Sequence, residues 1–105
     1  MIPSYRVLLA PDAFRDLDMI LDYIRRDSPQ NAARTIDRLW SATQSLDRFP
    51  HRYRVYRLHR RPELAIRAMP VPPFVIYYRI IEPLHTVRVL TVRHGARRRP
   101  SFPEP

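Results

Sequence analysis

The chain has 105 residues, and its 19 arginines against 10 acidic residues give a formal net charge of +9, with no lysine at all. This length is typical of one domain, a hydrophobic content of 45% is sufficient for one small core, and the charge excess favours a polyanionic partner. The absence of cysteine excludes disulfides and thiolate metal sites, and no stretch approaches the ~20 apolar residues of a membrane span, so we expect a cytoplasmic protein with no metal and no cofactor.

The N-terminal quarter predicts a strand followed by a helix. Tyr5–Leu9 alternates as a short strand does, and the segment after it begins with Pro11, which is favourable in the first turn of a helix. The helix is predicted over Pro11–Arg26. Its apolar stripe recurs at helical spacing and consists of Ala13, Phe14, Leu17, Ile20, Leu21 and Ile24.

A second helix is predicted over Pro29–Asp47. Ser28 is a favourable N-cap and is followed by proline at the first helical position, and Phe49-Pro50 ends the helix. The short connection predicts an antiparallel helical hairpin. Trp40 lies in the apolar stripe of this helix. We therefore prefer to interpret it as a core residue or a partner-binding residue, and not as a stacking platform for a nucleic-acid base.

The segment His51–Arg61 is the most basic loop of the chain, with a short strand predicted at Arg54–Leu58. Arginine and tyrosine alternate in it, and this pattern serves equally well for nucleic-acid contact and for a charged edge strand that resists aggregation. His51 and His59 have no acidic neighbour that would complete a metal site.

Leu64–Met69 predicts a further strand, in which Ile66 and Ala68 share one face and Arg67 lies on the other. Arg67 stands among apolar neighbours, so it is either an anchored functional cation or an edge residue whose charge reaches solvent. Three prolines follow and predict an extended connection to the next element. They are Pro70, Pro72 and Pro73.

Phe74–Ile81 and Val87–Val92 predict a β-hairpin whose turn contains Pro83. One face of the first strand is wholly apolar, and the other carries Tyr77 and Arg79. Such a hairpin is not stable alone, so the helical hairpin is expected to cover its apolar face. The predicted fold class is α+β in the order β-α-α-β-β-β, with an antiparallel helical hairpin on a small, mainly antiparallel sheet.

The C-terminal segment Arg93–Arg99 is strongly basic, and we call it the basic exit. Gly95 is the single glycine of the chain, so we expect it to adopt a conformation that other residues avoid. One domain is predicted over residues 1–99, and the proline-rich residues 100–105 are predicted to be a disordered tail.

Four segments of this sequence together resemble the ParE/RelE superfamily of toxins from bacterial type II toxin–antitoxin systems. They are YRVLLAPDAFRDLDMILDYI, SPQNAARTIDRLWSATQSLDRFP, PPFVIYYRI and VRVLTVRHGAR, which span nearly the whole chain. The long helical hairpin and the HGAR ending are more similar to the ParE branch, which as a family poisons DNA gyrase. The RelE branch instead cuts messenger RNA in the ribosome, with basic residues and a general acid/base group.

The resemblance implies different residues for the two activities. A ParE-like toxin has no chemistry of its own and would contact its target through Arg93, Arg97 and Arg98. For a RelE-like nuclease, His94 would be the acid/base group and three arginines would stabilise the phosphate, namely Arg67, Arg79 and Arg97. The tyrosine that many such nucleases carry near the C-terminus is absent, and Phe102 has no hydroxyl to replace it.

A plain nucleic-acid-binding module is the third and weakest interpretation, because it explains the charge and not the resemblance. All toxin interpretations imply a cognate antitoxin, whose partly disordered acidic segment would fold across the helical hairpin and the sheet. The residues predicted to bind it are Leu21, Trp40, Arg67, Tyr77 and Arg79.

Overall fold

The computed structural model of the chain describes residues 4–95 and residue 102. Two helices pack on a five-stranded sheet, which confirms the predicted α+β fold class and has one strand more than the predicted order β-α-α-β-β-β. The helices are α1 (Pro11–Arg25) and α2 (Pro29–Gln44), and the strands are β1 (Arg6–Leu9), β2 (Val55–Arg57), β3 (Ile66–Val71), β4 (Phe74–Ile81) and β5 (Thr86–His94). The predicted short strand in the basic loop is β2. None of the described helices is long and apolar enough to cross a membrane.

The strands are ordered β1-β5-β4-β3-β2, with a parallel β1–β5 pair and antiparallel pairs elsewhere. The face of the sheet that packs against the helices, the inner face, contains the predicted apolar row of β4. This row joins one core with residues of both helices, among them Ala13, Leu17 and Leu39. The opposite, outer face has a smaller apolar cluster around Ile66, Ala68 and Tyr77.

A bulge at Leu90 directs an apolar side chain from the C-terminal half of β5 toward the helices. Tyr77 pairs with Thr91 while Tyr78 pairs with Val89, so β5 has one residue more than β4 at this point. In a regular strand Val89 and Val92 would lie on opposite faces. With the bulge, both contribute to the inner core.

Asp16 of α1 binds the bulged strand. Its Oδ2 accepts hydrogen bonds from the Thr91 hydroxyl and, at 3.0 Å, from the backbone N–H of Val92. The carboxylate therefore supplies an acceptor to a backbone donor beside the bulge, and it joins α1 directly to β5.

Side-chain hydroxyls determine where α2 begins and ends. Ser28 is the predicted N-cap, and its Oγ accepts from the N–H of Asn31 at 3.3 Å. The helix was predicted to continue to Asp47, but it ends at Gln44 and is followed by a 3₁₀ turn. The Thr43 and Ser45 hydroxyls donate to carbonyls three residues earlier, at 2.7 and 2.6 Å, and so compete with the regular helical pattern.

The proline-rich segment differs from its predicted extended connection. Pro70 lies within β3, and Pro72-Pro73, joined by a cis peptide bond, turns directly into β4. Pro70 is tolerated in β3 because β2 pairs only with the first part of that strand, so no ladder donor is required at Pro70. The expectation for Gly95 is also wrong, since its φ is not positive. Its N–H donates to Pro73 O at 2.7 Å, and an added Cβ would lie 3.2 Å from the same oxygen.

We expect Asp16→Ala to lower the free energy of unfolding by roughly 1–3 kcal/mol, because two donors at the β5 bulge lose their acceptor. Urea denaturation monitored by circular dichroism measures this change. Asp18→Ala, at an exposed position of the same helix, is the control and should alter stability by less than about 0.5 kcal/mol. Equal midpoints for the two variants would contradict the role assigned to Asp16.

Candidate functional site

The outer face of the sheet is strongly basic. The five strands contain six arginines and no acidic residue, and the register places five of the arginines on the outer face, namely Arg6, Arg57, Arg79, Arg88 and Arg93. Arg79 and Arg88 are direct cross-strand partners. Like charges in this arrangement are destabilising. The Nε of Arg79 also donates to the carbonyl oxygen of Leu64 at 3.3 Å, and together these arginines make the outer face positively charged.

A cluster of aromatic rings lies on the same face. Tyr77 is only 6% exposed, because Tyr56 of β2 and Phe102 cover it. Its ring centroid is 4.8 Å from that of Tyr56 and 5.6 Å from that of Phe102, with interplanar angles of 69° and 58°. Phe102 lies in the stretch predicted to be a disordered tail, and the resemblance gave it no function.

Arg67 points away from this basic face. It pairs with Tyr78 on the inner face, and its Nη1 donates to the carbonyl oxygens of His51 and Tyr53 at 3.1 and 2.6 Å. The buried Tyr78 hydroxyl donates to Pro50 O in the same loop. Burial raises the pKa of Tyr78 to about 12, against the opposing effect of the nearby Arg67 charge. Arg67 and Tyr78 thus hold the loop that follows α2.

His94 and Arg93 border a groove of about 630 Å³ between α1, the middle of α2, the start of β4 and the end of β5. The His94 ring lies edge-on to Phe74 at 5.7 Å, and Arg93 Nε donates to Thr91 Oγ1 at 3.1 Å. The exposed side chains of Met19 and Tyr23 form its apolar wall. The groove is suited to an apolar segment of a partner.

The helical surface carries a separate aromatic pair. Trp40 is 44% exposed, and its ring lies 6.5 Å from that of the half-exposed Phe14 across the helical hairpin. Leu21 is half-buried on α1. Trp40 is therefore not a core residue, and its predicted role in antitoxin binding stays a prediction.

The described residues of the nuclease hypothesis, Arg67, Arg79 and His94, do not lie together. Arg67 lies on the inner face and Arg79 on the outer face. His94 pairs with Phe74, which is four residues along β4 from the partner of Arg67, or roughly 13 Å. The predicted antitoxin-binding residues are likewise divided between the helices, the inner face and the outer face. Arg97 and Arg98 lie outside the described residues.

A further cluster of titratable side chains was not predicted. The Tyr5 hydroxyl donates to both carboxylate oxygens of Glu82, at 3.0 and 3.1 Å, and His51 Nε2 lies 2.7 Å from one of them. The His85 ring stacks on Tyr5 at 3.8 Å. Burial, the hydrogen bond to Glu82 and its negative charge raise the pKa of Tyr5. The cluster joins the loop after α2 to the β4–β5 turn, and no periodicity in the sequence brings these residues together.

Comparison with known proteins identifies related sequences and folds. The family described as "ParE toxin of type II toxin-antitoxin system, parDE" matches residues 7–99. Toxin RelE2 of Caulobacter vibrioides is 40% identical over 85 residues, which cover 81% of this chain and 89% of that protein.

Two solved structures have a similar fold. One is from the chromosomal ParDE toxin–antitoxin system of P. aeruginosa, with a TM-score of 0.68, 18% identity, and coverage of 87% of this chain and 96% of that one. The other is from the RelBE2 toxin–antitoxin complex of Mycobacterium tuberculosis, with a TM-score of 0.57, 28% identity, and coverage of 92% and 98%. The first likeness concerns the fold alone, because its sequence identity is low.

We expect Tyr78→Phe to remove a pH dependence of stability at high pH. Because burial raises the pKa of Tyr78 from 10.0 to about 12, folding favours the protonated phenol. Its contribution is complete below pH 10 and is lost as the pH rises towards 12, by at most about 3 kcal/mol.

Denaturation curves at several pH values between 8 and 12 measure this effect, with the exposed Tyr23→Phe as the control. Stability of Tyr78→Phe should be lower at neutral pH by about 1 kcal/mol, through loss of the bond to Pro50 O, and should fall less steeply above pH 10. Parallel curves for the wild type and Tyr78→Phe would contradict this account.

Proposed function

The chain belongs to the ParE family of toxins from type II toxin–antitoxin systems, and on that premise we propose that it inhibits DNA gyrase by binding, with no catalysis of its own. The observation that carries the proposal is the use of Arg67. Its guanidinium is committed to two loop carbonyls on the inner face, on the side of the sheet opposite Arg79. A binding toxin needs no convergent set of cations around one phosphate, whereas a nuclease does.

Arg93 and the basic exit after it are the proposed contact with the target. Arg93 is exposed at the end of β5, beside the groove that α1 borders. Arg97 and Arg98 follow within five residues in the sequence, so a dense positive charge continues from the sheet. Such a segment favours a negatively charged partner surface, as a protein–DNA intermediate offers.

The second part of the proposal is a cognate antitoxin. The solved structures that resemble this chain come from toxin–antitoxin systems. The chain exposes apolar side chains on the helical hairpin and beside the groove, among them Phe14, Trp40 and Tyr23. An antitoxin segment with an apolar stripe and acidic flanks would cover this surface and neutralise the adjacent arginines.

We expect the purified chain, freed of its antitoxin, to inhibit DNA supercoiling by gyrase and to trap double-strand breaks. The triple variant Arg93→Ala, Arg97→Ala, Arg98→Ala should lose about 100-fold in potency, because several charge-assisted contacts are removed together. A supercoiling assay with titrated toxin measures this loss.

The matched control also removes three positive charges, but from the helical surface. It combines Arg15→Ala, Arg25→Ala and Arg34→Ala, and it should inhibit gyrase as strongly as the wild type. Full potency of the first triple variant would contradict the proposed contact. Gyrase that is unaffected by the wild-type chain would contradict the proposed target.

A RelE-like endoribonuclease is the second candidate, favoured by the 40% identity to Toxin RelE2. Cleavage through the RNA 2′-OH needs a proton acceptor and a proton donor beside cations that stabilise the phosphorane. His94 is the residue for proton transfer in this candidate, with Arg79 and Arg97 as phosphate contacts. Arginine alone is a poor proton carrier, so the mechanism depends on His94.

For this candidate we expect cuts in translated messenger RNA that His94→Ala abolishes. Mapping of mRNA 5′ ends during translation in vitro measures them. His59→Ala is the matched histidine control and should leave the cuts unchanged. Cuts that persist in His94→Ala would remove the nuclease role from that residue.

A further inference from the structure

The rings on the outer face form a defined receptor for one side chain. Tyr56 of β2 and Tyr77 of β4 stand on either side of β3, which has the small Ala68 on the same face. The Tyr56 and Tyr77 rings meet edge-on across β3, with their centroids 4.8 Å apart, and the ring of Phe102 packs against both, 6.2 Å from the centroid of Tyr56 and 5.6 Å from that of Tyr77. We call Tyr56, Ala68 and Tyr77 the aromatic socket.

A second contact holds the backbone of the same residue. Arg57 Nη1 donates to the carbonyl oxygen of Phe102 at 2.7 Å. Every peptide has such a carbonyl, so this bond selects no sequence. The socket and Arg57 therefore recognise the minimum elements of a peptide ligand, one ring and one main-chain acceptor.

The surroundings of the socket favour an acidic ligand. Arg57, Arg79 and Arg88 lie on the same face, and none of the described strands carries an acidic residue. The segment of this chain that contains Phe102 also has an acidic residue beside the ring, since Glu104 follows Phe102 by two residues in the sequence. A partner segment with an aromatic residue between carboxylates would match the socket and its arginines together.

We propose that the aromatic socket is a docking site for an aromatic residue in an acidic, extended segment of the cognate antitoxin, and that Phe102 is its intramolecular occupant until the antitoxin binds. The inference rests on the antitoxin part of the proposed function. The ring of Phe102 contacts the two tyrosines and its carbonyl oxygen contacts Arg57, and a longer segment that also contacts the outer-face arginines displaces it. Phe102 thereby keeps Tyr77 covered in the free toxin, and it competes with the antitoxin for the socket.

A fluorescein-labelled peptide of sequence DESFPED tests the socket on the full-length chain. Because only the unoccupied fraction of a site binds, Phe102→Ala should bind this peptide about tenfold more tightly than the wild type. The peptide DESAPED should bind the same variant at least about tenfold more weakly. Phe49→Ala, which removes an exposed phenylalanine outside the socket, is the matched control and should behave as the wild type.

Two second-site changes in the Phe102→Ala chain locate the peptide. Ala68→Leu fills the socket, and Tyr56→Ala removes one wall at a half-buried position that tolerates truncation; thermal melts verify that each variant is folded. In either folded variant, DESFPED should bind only as tightly as DESAPED binds the Phe102→Ala chain. Equal affinity of the wild type and Phe102→Ala for DESFPED, or equal affinity of Phe102→Ala for the two peptides, would overturn the inference.

The cognate antitoxin identifies the occupant. Added to the Phe102→Ala chain, it should release bound DESFPED at one equivalent. Antitoxin that binds while the peptide stays in place would overturn the assignment of this socket to the antitoxin. A chain that binds the peptide but no antitoxin would contradict the proposed function, and it would overturn the inferred occupant while leaving the socket geometry supported.

Discussion

Coverage of the inner face of β4 is the constraint on which the rest of the structure depends. The apolar row of β4 is stable only under the two helices, and the Leu90 bulge rotates β5 so that Val89 and Val92 join the same core. Asp16 fastens α1 to the bulged strand through Thr91 and Val92. Once this layer is closed, the residues left on the outer face are free to carry charge, and they form the basic surface.

The two faces of the sheet therefore have different tasks. On the inner face, even the polar groups serve the fold, since Arg67 and Tyr78 hold the loop after α2. On the outer face, Arg79 and Arg88 are paired at a cost to sheet stability. This division is consistent with the proposed binding function, because the outer-face arginines of the described strands are spread over a face and do not converge on one group.

Phe102 links the proposed antitoxin and the outer face. Its ring covers Tyr77, which would otherwise expose a large apolar side chain in the middle of the arginines. In the free toxin this contact lowers the exposed apolar area, and in the complex the same area becomes available to the antitoxin. The groove beside His94 and the aromatic pair of the helices lie on other surfaces, so an antitoxin that covers all three must wrap around the domain.

The sequence by itself determined the fold class, the N-cap at Ser28 and the apolar face of β4, because helical and strand periodicities and capping are local. The toxin family was indicated by the resemblance of four segments of the sequence, and periodicity alone does not supply that. The positions of the site residues were decided only by the tertiary structure. Strand alternation separates Arg67 from Arg79, but what each guanidinium contacts depends on a loop 14 residues earlier and on the layer packed above it. The bulge at Leu90 and the contact of Phe102 with Tyr56, which joins residues far apart in the chain, have no local signal. Pairings over such separations follow from which surfaces remain uncovered once the core has formed.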